Sequence, residues 1–275
     1  MTENVPTADS PESWGAASRG YAEKVAPLLM QAFADTFVER LGADSDAEVL
    51  EVGAGSGALT EALARRVKSV LATDFAPQMI EVLQERMQAV GATNVRCEVM
   101  DGQALALDDK SFDAAACSFA LMLFPDRAQG FSELCRVLRP GGRALISAWA
   151  GPDKFEAFGL FLAAMDVAFP DMPPPPSPLP VFSLADPTDF RAQMEAGGFH
   201  DVAVEFASQE LEVQTFDELW AMFTVGAPAV QVLFDRVGAR GERRLRDALR
   251  EIVEERFGTG PITTTNVATV AVGSA

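Results

Sequence analysis

One stretch limits what this chain can fold into more than any other: Val49-Leu50-Glu51-Val52-Gly53-Ala54-Gly55-Ser56-Gly57-Ala58-Leu59-Thr60. Val49 to Val52 reads as a short buried strand, and three glycines follow it at once. Leu59, Ala62, Leu63 and Val67 then recur at helical spacing. A strand that passes through glycines into a helix places backbone N–H groups at the helix N-terminus, in a loop with no Cβ to block a ligand. Such a turn suits a nucleotide-like molecule. Gly53-x-Gly55-x-x-Ala58 satisfies the dinucleotide fingerprint, in which the helix start receives a pyrophosphate. What decides between that ligand and others lies further along the chain.

The alternation that starts here continues. Strands are expected at 49–53, 70–74, 95–101, 112–119 and 143–149, with helices at 57–66, 76–90 and 126–138 between them. Near-continuous apolar strands between amphipathic helices mean a parallel sheet covered on both faces. In such sheets ligands bind beyond the C-terminal strand ends. Before the first strand, Val25, Leu29, Phe33, Phe37 and Leu41 recur at a period of four and form an amphipathic helix with Pro27 in its first turn. Residues 1–12 read as a loose arm. Trp14 and Tyr21 precede the periodic stretch and suit either packing, the commoner use of such residues, or folding over a ligand.

After residue 150 the alternation weakens. Asp153 to Phe169 reads as an apolar helix, and six prolines between Pro173 and Pro180 make a stiff extended segment. Asp186 to Ala196 is a helix stopped by Gly197-Gly198. His200 to Phe206 and Asn266 to Val272 are two last strands, with helical patterns at 217–224, 228–237 and 241–257 between them. The expected fold is α/β: a Rossmann-like, doubly wound, mostly parallel seven-stranded sheet with a helical cap formed by insertions. Residues 1–44 are an N-terminal arm and helix and 45–150 the ligand-binding core. Insertions 151–185 and 209–262 form the cap, and 186–208 with 263–275 complete the sheet.

Composition narrows the partners. The 275-residue chain carries 40 acidic against 22 basic residues, a net charge of −18. That surface repels phosphate backbones and anionic lipid, so neither nucleic acid nor membrane is an expected partner. The arginines at 236, 240, 243, 244 and 246 are interleaved with Asp235, Glu242 and Asp247, as on a solvated helix face. Cys97, Cys117 and Cys135 show no metal or disulfide spacing and read as buried, reduced thiols. With no signal pattern, and an apolar run at 114–125 too short to span a bilayer, a soluble cytoplasmic protein is expected.

Each strand end carries a group suited to one part of an adenosyl sulfonium. Asp74 ends the second strand, where a carboxylate accepts ribose hydroxyls; this alone suits NAD equally. Asp101-Gly102 follows the third strand and offers the adenine an acceptor beside bare backbone. Ser118-Phe119 ends the fourth. Glu51 adds an acid beside the Gly-rich turn, favourable to a cation and unfavourable to a pyrophosphate.

The ordered set LEVGAGSG, LATDFAPQMI, VMDGQALAL, SFDAAACSFALMLFPD and ELCRVLRPGG resembles the motifs of the class I S-adenosylmethionine (SAM)-dependent methyltransferases. The nearest branch includes the ubiquinone and menaquinone biosynthesis C-methyltransferases and many small-molecule enzymes. The resemblance covers about residues 45–150 well and 186–206 plus 266–273 more loosely. It implies SAM as cofactor and S-adenosylhomocysteine as product. Gly53, Ala54 and Gly55 would hold the methionine part with Glu51 close by, and Asp74 the ribose. Phe75 and Met79 would flank the adenosine, Asp101, Gly102 and Gln103 would meet the adenine edge, and Ser118 would touch the methionine end. Arg139-Pro140-Gly141-Gly142 reads as a structural turn into strand five.

Methyl transfer from a sulfonium is an in-line displacement, driven mainly by alignment and exclusion of water. The single histidine, His200, falls at a surface turn, which disfavours a histidine-based O-methyltransferase. The fourth strand lacks the Asn/Asp-Pro-Pro-Tyr signature of nucleic-acid amino methyltransferases, and no acidic metal cluster is visible. No catalytic base and no metal are therefore assigned. The expected acceptor is a small, apolar or aromatic molecule in a pocket walled by Trp14, Tyr21, Phe119, Phe124 and Phe158, with Leu121, Met122 and Phe155 nearby. Two alternatives stay open: an NAD(P)-linked oxidoreductase with the same turn, and a non-catalytic SAM-binding protein.

Overall fold

In the computed structural model, residues 10–173 and 179–275 are described. Helix α1 (Pro11–Lys24) starts where a loose arm was expected: Ser10 accepts from the Ser13 N–H at 3.2 Å, and Pro11 sits in the first turn. The rest of that expected arm, residues 1–9, lies outside the described residues. A π-helical turn (Ala26–Met30) holds Pro27 and joins α1 to α2 (Gln31–Leu41), which ends at Gly42 in the left-handed conformation.

The sheet then builds up as β1 (Glu48–Val52), β2 (Ser69–Asp74), β3 (Val95–Val99), β4 (Phe112–Ser118) and β5 (Leu138–Trp149). Helices α3 (Ala58–Ala64), α4 (Pro77–Ala89) and α5 (Arg127–Val137) alternate with them. β6 (His200–Val213) and β7 (Ile262–Ser274) close a seven-stranded sheet of order β3-β2-β1-β4-β5-β7-β6. The first five strands pair in parallel; β7 is antiparallel to both β5 and β6. Val49, Leu50, Ala115, Ala116, Leu145 and Ile146 are buried, as an apolar strand covered on both faces requires. Strand order reverses between β1 and β4, where a crevice opens beyond the strand ends.

Two boundaries differ from expectation. β6 and β7 are longer, so residues 209–213 and 262 belong to the sheet, not to an insertion; polar Glu205, Gln209 and Glu210 had masked the alternation. The Arg139–Gly142 segment is a bulge within β5, where the pairing jumps from Phe112↔Leu138 to Ala114↔Arg143. The two helices expected at 228–237 and 241–257 are both present, joined end to end as α9 (Pro228–Phe257) across a kink at Gly238, whose angles are non-helical.

Helices α6 (Glu156–Ala168) and α9 pack along each other, with α8 (Phe216–Val225) against α9 and α1. The Pro-rich segment largely lies outside the described residues; Pro180 opens a 3-10 turn, and α7 (Pro187–Ala196) is capped by Asp186. β6 is an edge strand, and two guanidinium groups cover it: Arg40 donates to the Phe206 carbonyl at 3.0 Å, and Arg191 donates to that of Val202.

Candidate active site

A cavity of about 760 Å³, counting its open mouth, lies beyond the C-terminal ends of β1, β2 and β4. Its floor is the Gly-rich turn. Gly53 adopts φ +69° and packs against Ala120, so a Cβ there would collide with the Ala120 methyl. Gly55, at φ +54°, faces Tyr21, whose Cε1 would lie 3.7 Å from an added Cβ. Left-handed backbone at both positions favours glycine.

Three amides of the turn, which the sequence had suggested would be free, are engaged within the protein. The Ala54 N–H donates to the Thr73 carbonyl at 2.9 Å, that of Gly55 to Asp74 Oδ2 at 2.9 Å, and that of Gly57 to the Ala54 carbonyl at 3.0 Å. These bonds hold the turn against β2. They also take up three of the donors that would greet a pyrophosphate.

Asp74 is 6 % exposed and receives the Ala76 N–H on its other oxygen at 3.0 Å. Burial raises its pKa, and the N–H groups of Ala76, Gly55 and Phe75 oppose that rise. The carboxylate keeps acceptor capacity for a ligand hydroxyl. Across the cavity, Asp101 Oδ1 accepts from the Gln103 N–H at 2.9 Å and from Gln103 Nε2 at 3.2 Å. Gln103 Oε1 in turn accepts from the Asp126 N–H at 2.8 Å. Asp126 caps α5, so that helix fixes the orientation of the Asp101–Gln103 pair.

The loop after β4 supplies the opposite wall. Phe119 stands at φ +55°, an uncommon conformation for a phenylalanine. Its N–H donates to the Ser147 carbonyl at 3.0 Å, and its ring stacks on Trp149 with centroids 4.1 Å apart. Ser118 Oγ accepts from Ser147 Oγ at 3.3 Å. The roof comes from α1: Trp14 and Tyr21 meet edge-to-face at 5.8 Å and both line the cavity. Burial, and secondly the Asp74 charge, push the Tyr21 phenol up, so it stays protonated.

Of the residues expected at the site, Gly53, Gly55, Asp74, Phe75, Met79, Asp101, Gly102, Gln103 and Ser118 line the cavity, as do Trp14, Tyr21, Phe119 and Phe124. Three do not. Glu51, 1 % exposed, points behind the turn and accepts from Thr60 Oγ1 at 2.6 Å. Desolvation pushes its carboxyl up to about 8, so it is uncharged at neutral pH and offers a cation nothing. Ala54 is turned away, its amide bonded to β2. Phe158 is absorbed in an aromatic stack with Phe155 and Phe161, packs edge-on to Phe182, and does not reach the lining. Sequence reading missed Val52, Met100, Ala120, Leu123 and Pro125; only Val52 and Met100 carried a signal, as strand-end residues.

No lysine or arginine lines the cavity. Among the described residues no group of three His, Cys, Asp or Glu is placed to hold a metal ion, and no helix is long and apolar enough to cross a membrane. His200 lies on edge strand β6, its side chain 59 % exposed beside Asp201, at the surface as expected. Cys117 is buried, with its thiol pushed up to about 12 mainly by desolvation, whereas Cys97 and Cys135 are only half-buried.

Residues 50–146 match the family model described as "Methyltransferase domain". A demethylmenaquinone methyltransferase of Deinococcus radiodurans is 36 % identical over 131 residues, which are 46 % of this chain and 52 % of that protein. The chain thus spans about half the length of the curated relatives it matches. Among solved structures, the [4+2]-cyclase SpnF superposes with a TM-score of 0.60 at 15 % identity, covering 98 % of this chain and 96 % of that one. A phosphoethanolamine N-methyltransferase of Haemonchus contortus, solved with SAM, gives 0.57 at 15 % identity, covering 99 % of this chain and 61 % of its own. At such identities the structural likeness speaks for the fold alone.

Proposed function

We propose, from the match of residues 50–146 to a methyltransferase domain, that the protein is a class I methyltransferase that transfers a methyl group from SAM to a small, apolar or aromatic acceptor. One observation carries the cofactor reading. Asp74 and Asp101, from two strand ends, converge on one cavity that contains no cation. A sulfonium with an ammonium group suits such walls, and the two pyrophosphate charges of NAD do not. With the amides of Ala54, Gly55 and Gly57 bonded inside the turn, the pyrophosphate would also meet fewer neutral donors. Both observations count against the oxidoreductase reading.

Bound SAM supplies the electrophilic methyl group. The protein's own contribution is placement: Asp74 offers acceptors for hydroxyls, Asp101 and Gln103 a fixed polar edge, and Phe75 and Met79 apolar flanks. Met100, Leu123 and Phe124 exclude water. No histidine lines the cavity, which favours an acceptor that is already nucleophilic: an aromatic carbon made electron-rich by its own oxygen, an amine or an acidic oxygen. The apolar wall supports an aromatic ring, and the relatives named as demethylmenaquinone methyltransferases support a quinone-like one.

Calorimetric titration with SAM, S-adenosylhomocysteine and NAD tests the cofactor. SAM and its product should bind; binding of NAD alone overturns the reading. Incubation with isotopically labelled SAM and a metabolite extract should then yield a labelled aromatic product. Uptake of SAM without any labelled product would overturn the transfer reading while leaving the cofactor in place.

A further inference from the structure

SAM carries a carboxylate at its methionine end, and the cavity has no lysine or arginine to receive it. The turn amides at Ala54, Gly55 and Gly57 are spent within the protein, and Gln103 gives its side-chain N–H to Asp101. Among lining side chains, donors without a protein acceptor remain on Trp14, Tyr21 and Ser118. Tyr21 is the one set over the Gly-rich turn: its Cε1 lies 3.7 Å from where a Cβ on Gly55 would stand. Its hydroxyl makes no hydrogen bond with any described residue.

We propose that Tyr21, carried on α1, is a cofactor-binding residue whose hydroxyl donates to the α-carboxylate of SAM, replacing the cation this cavity lacks. The inference rests on the SAM reading above. Because burial and the Asp74 charge push the phenol up, it remains a donor at neutral pH. Asp74 acts on it only through space and accepts no bond from it. The proton is therefore free for a ligand. A neutral donor also leaves the two acids as the only charges in the site, so binding should favour ligands that keep the carboxylate and carry a net positive charge.

The test compares the full chain with Tyr21→Phe, which keeps the ring and its packing on Trp14, against SAM and decarboxylated SAM. The second probe lacks only the carboxylate. Tyr21→Phe should weaken SAM by about tenfold or more, the range for a hydrogen bond to a charged group, and decarboxylated SAM by no more than about twofold. Equal weakening of both probes would mean a packing role and overturn the proposal, as would no weakening of either. Collapse of the SAM preference in Ser118→Ala instead of Tyr21→Phe would also overturn it. If the unaltered protein binds neither probe, the SAM reading itself falls, an outcome distinct from the others.

Discussion

Asp74 accepts from the backbone N–H groups of Gly55 and Ala76 while facing the cavity, so one carboxylate ties the Gly-rich turn to the start of α4. Asp74→Asn should therefore weaken SAM binding by about 1–3 kcal/mol in calorimetry, through lost acceptors and a loosened turn together. Glu51 is a different kind of acid. Folded, its carboxyl titrates at about 8 against an ordinary 4.5. Below pH 4.5 both folded and unfolded chains hold the proton; above it the unfolded chain releases it first. Stability is thus lost as pH rises from about 4.5 to 8 and is level beyond. Glu51→Gln removes that loss, so its stability advantage over the unaltered protein should grow across this window, to at most about 5 kcal/mol. Denaturant midpoints at pH 5 and pH 8 measure it; an unchanged difference would refute the buried, neutral assignment. His200→Ala should leave turnover intact, since the imidazole stands at the far edge of the sheet. Sequence alone had made Glu51 an electrostatic partner for a cation. Adjacency to the glycines was legible; the direction of the side chain was not, because alternate residues of a strand face opposite sides of the sheet.

Among elements, the turn between β1 and α3 is the least tolerant. Gly53→Ala meets both a left-handed φ and the Ala120 methyl, so it should cost more than about 1 kcal/mol in thermal or denaturant unfolding. Ala120→Gly in the same chain should restore only the steric share. The parallel strands β1, β2, β4 and β5 were legible because doubly covered strands are nearly all apolar. Helix α1 was not: its buried face is Gly15, Ala17 and Ser18, too small to register as an apolar period. Only the Ser10-Pro11 cap announced it. That helix supplies Trp14 and Tyr21, so the roof of the site was the part hardest to read.

For the molecule as a whole, cofactor binding should appear as thermal stabilisation. At SAM concentrations about 100 times the dissociation constant, mass action adds about 2.7 kcal/mol, which moves the melting temperature of a chain this size up by roughly 5–10 °C. Absence of any shift would contradict the cavity assignment. The segment matching known methyltransferases, residues 50–146, holds the floor and walls but not α1. What it leaves unmatched, the roof and the packed helices α6, α8 and α9, is where relatives with one cofactor can diverge in acceptor. The far flank of the sheet has its own consequence. With Arg40 and Arg191 already seated on carbonyls of β6, another chain that slid alongside would find those acceptors taken and could not continue the ladder. Removing both arginines should therefore convert a dilute, clear solution into one that scatters light as concentration rises. Two cations on the rim are a safeguard against polymerisation.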